Sequence, residues 1–345
     1  MAEEKKAPAA PPPPMPPLPV FDYPVSPREN MQLVIDHKEP YWVPNMSTDI
    51  QMTFCPQDNE RPYPLTESGS DWFGLYWEFI PLVGGQMVRP ESHILDDPAE
   101  WEQKLIFPDL DKIDFSIGAE EEYKRLQENK DKPVFYVMQN GIWERLLDLA
   151  PTEKVFIFLL ENPESARKYF DTMADFKIKI IQKLINEWVP IDCIISSDDW
   201  GTQYSMFFSA QTFEDLIFPG TKKIVDFVHA NGMWVDTHSC GKCEPLVPYM
   251  IEMETDMWEP QHMNDLKRVK QEYGDKLNLR VMPDHAIMGA PDMTRESSIA
   301  YLREFIETLG AGGGLLSGVR PTADRELYID LVTEFYNFSR QLYGK

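Results

Sequence analysis

The sequence has few cysteines, few basic residues and no long apolar run. Its four cysteines in 345 residues are too few for a disulfide scaffold. Lys and Arg number 33 against 57 Asp and Glu, so the chain lacks the basic surface that binds a phosphate backbone. No segment approaches the ~20 apolar residues that span a bilayer, and the amino terminus lacks the apolar core of a secretory signal. We therefore expect a cytoplasmic protein that binds neither nucleic acid nor membrane.

The first 28 residues have a composition of their own. They hold ten of the thirty prolines, which predicts a polyproline II arm without a core. Such an arm could dock on a proline-reading groove, but we favour packing on its own domain or on a second copy of the chain. We expect the folded domain to run from residue 29 to 345, because 43% hydrophobic and 12% aromatic residues can build a large core.

After the arm, short apolar runs alternate with amphipathic helices, as in parallel α/β folds. The eight predicted strands are residues 41–45, 73–80, 134–138, 193–196, 234–237, 257–259, 279–282 and 315–318. Eight is the number that closes a (β/α)8 TIM barrel. An open doubly wound sheet is the alternative, although no Gly-x-Gly-x-x-Gly follows a strand. Residues 83–130 are acidic and loop-rich, which predicts an insertion over one mouth of the barrel.

The segment 235–243 runs from a predicted strand into a glycine-bearing loop. Residues two apart in a strand face the same way, so His238 and Cys240 point together at the carboxyl end of the strand, where barrel active sites form. An imidazole and a thiolate suit zinc, and Cys243 becomes a third ligand if the loop curls back. The alternative is a buried histidine and a cysteine that serve packing alone.

Carboxylates follow the neighbouring strands. Glu259 ends one of them and is a candidate ligand, general acid or base; the alternative is a loop carboxylate paired with a lysine. Asp198 and Asp199 leave another strand together, so that burial would raise the pKa of one of them. The alternative for this pair is helix capping in water.

Other polar and aromatic residues also follow strands or lie near them. His285 follows one strand and is more often a structural group than a ligand. Arg320 follows the last strand and could fix an anion. Aromatic side chains could wall a pocket, although such residues are usually core: Trp72, Tyr76, Trp77, Trp143 and Trp200.

The sequence resembles the uroporphyrinogen decarboxylase superfamily over nearly everything after residue 24. The segments that carry the resemblance are residues 24–30, 36–40, 141–144, 160–164 and 198–203, and above all His238-Ser239-Cys240-Gly241. The resemblance implies a (β/α)8 barrel with its site at the carboxyl ends of the strands. True decarboxylases of this superfamily carry an arginine-rich segment near the start, whereas residues 41–70 hold one arginine, Arg61.

The other branch of the superfamily contains corrinoid-linked methyltransferases, some of which methylate coenzyme M. Their zinc ligands are a His-x-Cys pair, which maps onto His238 and Cys240, and a distant cysteine near the last strand. Val319 stands where that cysteine would be. The resemblance therefore leaves Cys243 or Glu259 as the replacement ligand, or no metal at all.

The sequence is also similar to the demethylating methyltransferases of anaerobic O-demethylase systems. This similarity implies that a methyl group moves from a small methoxylated compound, typically a phenyl methyl ether, to the cobalt of a partner corrinoid protein. We expect zinc at His238 and Cys240, and proton donation by Asp199 or Glu259. Substrate contacts are expected from Asn140, Trp200, Gln203, His285 and Arg320. The alternatives are a corrinoid-to-thiol methyltransferase, a decarboxylase and a non-catalytic barrel that binds a corrinoid or a partner.

Overall fold

A curled sheet of seven parallel strands forms the centre of the molecule. The computed structural model describes residues 18–82, 84–322 and 324–345, so most of the proline arm lies outside the described residues. The strand order is β1-β5-β6-β7-β8-β9-β10. These strands are β1 (Gln51–Thr53), β5 (Val134–Met138), β6 (Cys193–Ser197), β7 (Trp234–His238), β8 (Met257–Glu259), β9 (Asn278–Arg280) and β10 (Leu315–Leu316).

A bridge between Asn45 and Ser317 brings the two edges of the sheet together. The amide of Met46 donates to the carbonyl of Ser317 at 2.7 Å, and the amide of Ser317 donates to Pro44 at 3.0 Å. Asp49 holds this turn, because its carboxylate accepts from the Asn45 amide at 2.8 Å. The α/β, TIM-barrel-like fold predicted from the sequence is confirmed.

Helices surround the sheet and supply most of the apolar core. They are α1 (Pro27–Ile35), α2 (Trp101–Lys104), α3 (Ala119–Gln127), α4 (Ile142–Leu149), α5 (Thr152–Glu161), α6 (Pro163–Glu187), α7 (Ala210–Thr212), α8 (Phe218–Ala230), α9 (Val247–Glu252), α10 (Leu266–Tyr273), α11 (His285–Met288), α12 (Arg295–Gly310) and α13 (Arg325–Leu342). A π-helical turn, Phe213–Ile217, joins α7 to α8. No helix in the described ranges has the length and hydrophobicity needed to cross a bilayer.

Six of the eight predicted strands lie in the barrel sheet, one is a strand outside it, and one is not a strand. Residues 41–45 contribute only the bridge at Asn45. Residues 73–80 instead supply the centre of a separate antiparallel sheet, formed by β2 (Gly69–Ser70), β3 (Tyr76–Ile80) and β4 (Gly85–Val88). Strand β1 was not predicted because Gln-Met-Thr is short and polar; the side chains of Gln51 and Thr53 bond to residues around α3 instead of adding to an apolar run.

The part of the arm that the structure describes packs against the barrel. Phe21 stacks on Tyr336 of α13, with ring centroids 4.2 Å apart, and Tyr23 stacks on Trp42 at 4.5 Å. The Tyr23 hydroxyl also donates to Asp49 at 2.6 Å. Aromatic stacking together with this hydrogen bond fixes the chain before it enters α1.

Buried ion pairs fasten the loop-rich segment between β1 and β5 to the barrel. We call Glu60, Asp71, Arg145 and Lys177 the insertion cluster. Arg145 of α4 pairs with Asp71 at 2.6 Å, and Lys177 of α6 pairs with Glu60; all four side chains are at most 1% exposed. Each barrel cation thus meets a carboxylate of the segment between β1 and β5, which begins before the predicted insertion at residues 83–130. Removal of one partner would therefore leave a buried charge unpaired.

Candidate metal centre and active site

The ends of three adjacent strands bring the predicted site residues together. Strand register sets Ser197 beside His238, and His238 beside Glu259. The loops that follow β6 and β7 carry Asp199 and Cys240, so both side chains reach the same edge of the sheet. This edge is the carboxyl end of the parallel strands, where barrel enzymes place their chemistry.

Three donor atoms converge at this edge in the spacing of a zinc site. The Nε2 atom of His238 lies 3.5 Å from Asp199 Oδ1 and 3.4 Å from Cys240 Sγ, and all three donors lie within 4.8 Å of one another. Zinc bonds of about 2.0–2.3 Å at tetrahedral angles place donor atoms roughly 3.3–3.7 Å apart. Nitrogen, oxygen and sulfur donors at this spacing fit a zinc ion with one open coordination position.

Glu259 lies on the opposite side of the imidazole from these donors. Its Oε2 atom is 2.6 Å from His238 Nδ1, and Arg280 contacts both Glu259 and the fully buried Asp236. A carboxylate on the far nitrogen of a histidine is the usual arrangement behind a metal-bound imidazole, since it fixes the ring orientation. The geometry therefore assigns Glu259 the role of orienting His238 through Nδ1, rather than the role of a metal ligand beside Nε2.

Two amide groups hold Cys240 in place. Its backbone N–H donates to Asp199 Oδ1 at 2.7 Å, and the Gln261 side chain donates to its Sγ atom at 3.2 Å. The side-chain Oε1 atom of Gln261 also accepts from the Gly241 backbone N–H at 2.8 Å. Gly241 has φ of +91° and crosses the backbone of Gly201 so closely that a Cβ atom would lie 2.2 Å from its carbonyl carbon. Glycine at 241 is required for this loop crossing.

Cys243 is buried within the loop after β7, and its sulfur is not one of the three donor atoms that converge with His238 Nε2. It is fully buried, and its thiol donates to the Cys240 carbonyl at 3.3 Å. Its backbone N–H donates to Asn264 at 2.8 Å. Burial raises the pKa of the Cys243 thiol to about 11. The structure thus keeps this sulfur protonated and engaged with the backbone.

The carboxylates around the centre divide into two electrostatic classes. Burial opposes ionisation of Asp199 and Glu259, but contacts with His238 outweigh it, and the pKa of each is lowered. Burial raises the pKa of Asp198 to about 6. Burial and then the nearby Asp199 raise the pKa of Glu144 well above its usual value. The surroundings thus favour the ionised form of Asp199 and Glu259 and the protonated form of Glu144.

Asp198 combines parts of both interpretations of the Asp198-Asp199 pair: it caps a helix, but it is buried rather than in water, and burial raises its pKa. Its carboxylate accepts from the amides of Trp143 and Glu144 at 3.1 and 2.8 Å, which are in the first turn of α4. This cap explains the buried position of Asp198, and it places Glu144 near enough to Asp199 for that carboxylate to raise the pKa of Glu144.

The predicted substrate contacts are spread over three environments. Asn140 is buried and donates to Asp148 at 2.7 Å, and Trp200 is fully buried against Phe213. Gln203 is exposed in the turn after β6. His285 and Arg320 line a separate pocket beyond β9 and β10. The structure therefore does not gather these five residues around one ligand.

Sequence analysis missed four residues that shape the centre: Glu144, Asp236, Gln261 and Arg280. For two of them the sequence contains a pattern that could have identified them. Asp236 lies two residues before His238, on the same face of one strand, and Arg280 is a charge within an otherwise apolar run. Gln261 and Glu144 follow no such pattern, because their positions depend on how loops and helices meet in space.

The region that carries the candidate site also shows the family of the chain. Residues 127–312 match the family model described as Uroporphyrinogen decarboxylase (URO-D), which is more than half of the chain. The chain belongs to the uroporphyrinogen decarboxylase family. The matched range contains Asp199, His238, Cys240 and Glu259, whereas Arg320 lies beyond it. Comparison with curated proteins gives no match.

One solved structure shows the same architecture over nearly the whole chain. A methyltransferase from Methanosarcina mazei superposes with a TM-score of 0.64 over 93% of this chain and 100% of its own, at 14% identity. At that identity the similarity supports the fold alone. A family 10 endo-β-1,4-xylanase from Gloeophyllum trabeum aligns over 66% of this chain and 79% of its own, at 10% identity and a TM-score of 0.39.

Proposed function

We propose that this chain is a methyltransferase that demethylates a small methoxylated compound, a phenyl methyl ether, and passes the methyl group to the cobalt of a partner corrinoid protein. The observation that carries the proposal is the convergence of Asp199, His238 and Cys240 at the strand ends of a uroporphyrinogen decarboxylase family barrel. In this assignment the three residues hold zinc, with Asp199 as the third ligand in place of the distant cysteine.

The donor set favours an oxygen leaving group. A carboxylate in place of a second thiolate gives a harder ligand field, which suits coordination of an ether oxygen more than storage of a soft thiolate. Zinc bound here would act as a Lewis acid on the oxygen that leaves. Decarboxylation is disfavoured, because residues 41–70 hold one arginine. This arginine, Arg61, donates to the Gln86 carbonyl and lies over the Trp77 ring.

Side chains of this protein are assigned two further roles, which are orientation of His238 and proton donation to the leaving oxygen. Glu259, held by Arg280, orients His238 so that Nε2 faces the ligand position. Transfer of the methyl group breaks its bond to oxygen, and the oxygen that leaves must gain a proton. A phenolate has an ordinary pKa near ~10, so protonation favours its departure at neutral pH. We assign this proton to Glu144, since the pKa of Glu144 is raised whereas the pKa values of Asp199 and Glu259 are lowered.

Metal content is the first test. Purified protein should contain about one zinc per chain, and the His238→Ala/Cys240→Ala double variant should contain none. A Cys243→Ser variant serves as the control and should keep its zinc. Absence of zinc from protein purified without chelator contradicts the metal assignment.

The reaction is tested with a reduced corrinoid protein and a panel of methoxylated donors. Methylated corrinoid and free phenol should form together in equal amounts, and Glu144→Gln should slow the step by about 10²–10⁴-fold. If the protein instead transfers a methyl group from methylated corrinoid to a thiol and does not cleave the ether, it is a corrinoid-to-thiol methyltransferase.

A further inference from the structure

Two of the four cysteines lie three residues apart in the loop that follows β7. Cys240 and Cys243 form a Cys-Gly-Lys-Cys segment between the end of β7 at His238 and the 3₁₀ turn Glu244–Leu246. In an α/β fold, a Cys-x-x-Cys pair after a strand is typical of thiols that form and break a disulfide. The metal assignment uses Cys240 and leaves Cys243 without a chemical role.

The loop backbone brings the Cys243 sulfur back towards Cys240. Gly241 bends the chain between them with φ of +91°, and the Cys243 thiol donates to the Cys240 carbonyl at 3.3 Å. Because that carbonyl and the Cys240 Sγ atom belong to one residue, ordinary bond lengths keep the two sulfurs within about 8 Å of each other. Burial is the main cause of the raised pKa of Cys243, and the charge of a Cys240 thiolate is among those that raise it further.

The two thiols differ in exposure as a sensor pair does. Cys240 is partly exposed, whereas Cys243 is fully buried. A small oxidant therefore reaches Cys240 first, and the buried thiol beside it is placed to resolve the product. The other two cysteines form no such pair, since Cys55 follows β1 and Cys193 begins β6.

We propose that Cys240 and Cys243 are a thiol-oxidation site, at which a peroxide forms a reversible disulfide that excludes zinc from Cys240. The Cys240 sulfur attacks one peroxide oxygen, the O–O bond breaks, and a sulfenic acid and water form. The Cys243 sulfur then attacks the sulfenic sulfur. The S–O bond breaks, and the departing hydroxide takes the Cys243 proton and leaves as water. The two sulfurs lose two electrons in total, and the peroxide gains them.

Zinc and the disulfide compete for the same sulfur. Cys240 Sγ lies 3.4 Å from His238 Nε2, on the metal side, and it must turn away from there to meet Cys243. A disulfide sulfur also lacks the thiolate charge that binds zinc, so oxidation removes one of the three donors. Only this competition rests on the proposed function; formation of the disulfide needs no metal.

Mass spectrometry of alkylated, unreduced peptides tests the site. Zinc-loaded and chelator-treated full-length proteins are each exposed to hydrogen peroxide and then alkylated under denaturing conditions. Burial raises the pKa of the Cys240 thiol, so oxidation is expected to be slow and is followed to completion. Cys240 and Cys243 should become joined and lose their alkylation together, while Cys55 and Cys193 stay alkylated.

Dithiothreitol and a chromophoric chelator test reversibility and the link to zinc. Each disulfide formed in the loaded protein should release one zinc ion. Reduction should restore both thiols and, with added zinc, the original metal content. Oxidised protein that keeps its zinc would overturn the competition for the Cys240 sulfur.

Cys243→Ser separates the resolving thiol from the rest of the loop, because serine can still donate to the Cys240 carbonyl. This variant should bind zinc as wild type does. Under peroxide, its Cys240 should reach the sulfinic acid, which dithiothreitol does not reduce, so the loss of zinc becomes irreversible. Cys243→Ala should behave in the same way. Cys55→Ser is the matched control, because Cys55 is also a buried thiol that donates to a carbonyl, at 3.8 Å, and it should leave the disulfide unchanged.

The result that overturns the inference is oxidation of wild-type Cys240 to the sulfinic acid while Cys243 remains free. A disulfide that joins either residue to Cys55 or Cys193 would also overturn it. If the protein binds zinc and forms no disulfide, this inference fails and the proposed function stands. If the disulfide forms in protein that never binds zinc, the oxidation site stands and the metal assignment fails.

Discussion

Two groups of charged side chains lie on the same barrel, and they differ in how their charges are arranged. In the insertion cluster each cation faces a carboxylate from another segment, and no side chain is more than 1% exposed. At the metal centre the side chains of Asp199 and His238 are 33% and 23% exposed, and their donor atoms face one point. Paired, closed charges hold a segment in place, whereas convergent donors with a remaining opening can bind an ion. Burial alone does not separate the two roles.

Removal of one charge from the insertion cluster should have the largest effect on stability. Arg145→Met leaves Asp71 buried without its partner, which costs about 3–5 kcal/mol. Urea unfolding should show this loss while zinc content per folded chain stays unchanged. Arg303→Met, in an exposed pair, should change the free energy of unfolding by less than about 1 kcal/mol. Loss of zinc in folded Arg145→Met would show that the two clusters are coupled.

The sequence predicted the centre better than it predicted the insertion cluster. His238 and Cys240 lie two residues apart at a strand end, so one short segment carries both their position and their chemistry. Arg145 and Asp71 lie 74 residues apart and meet only because the insertion folds back over α4. Asp199 was expected near the centre as a proton donor, and the structure places its carboxylate 3.5 Å from His238. The crossing of Gly241 over Gly201 beside it depends on backbone conformation that spacing does not reveal.

Removal of one convergent donor should leave the fold intact and abolish metal binding. Asp199→Ala is expected to weaken zinc binding by at least about 100-fold, since a direct ligand contributes no less than the 10–100-fold effect of an outer partner. Competition with a chromophoric chelator measures this change. The thermal unfolding of the apo forms should differ little. If zinc affinity falls in Cys243→Ser instead, the third ligand is that sulfur.

Asp58, a buried neighbour of Glu60, should make stability depend on pH. Burial raises the pKa of Asp58 to about 6 from an ordinary 3.8, so its protonated form is favoured in the folded state. Its contribution is fully present below the unfolded pKa and is lost as the pH rises through about 6. The loss is on the order of 2–3 kcal/mol.

Asp58→Asn should remove this pH dependence, because asparagine does not titrate. The measurement is the free energy of unfolding of both proteins between about pH 4 and pH 7, with Asp109→Asn as an exposed control. Parallel curves for wild type and Asp58→Asn would show that another group is responsible.

Gln261 is expected to have the smallest effect, because in the proposed assignment it contacts a zinc ligand without being a ligand itself. Its side chain donates to Cys240 Sγ at 3.2 Å, so Gln261→Leu should weaken zinc binding by about ten-fold. It should also shift the sulfur-to-metal absorption of the cobalt(II)-substituted protein, a signal that loss of packing alone would not move. Gln203→Leu, in an exposed turn, is the control and should change neither property. An unchanged cobalt spectrum in Gln261→Leu would show that this hydrogen bond positions the loop and leaves the thiolate unaffected.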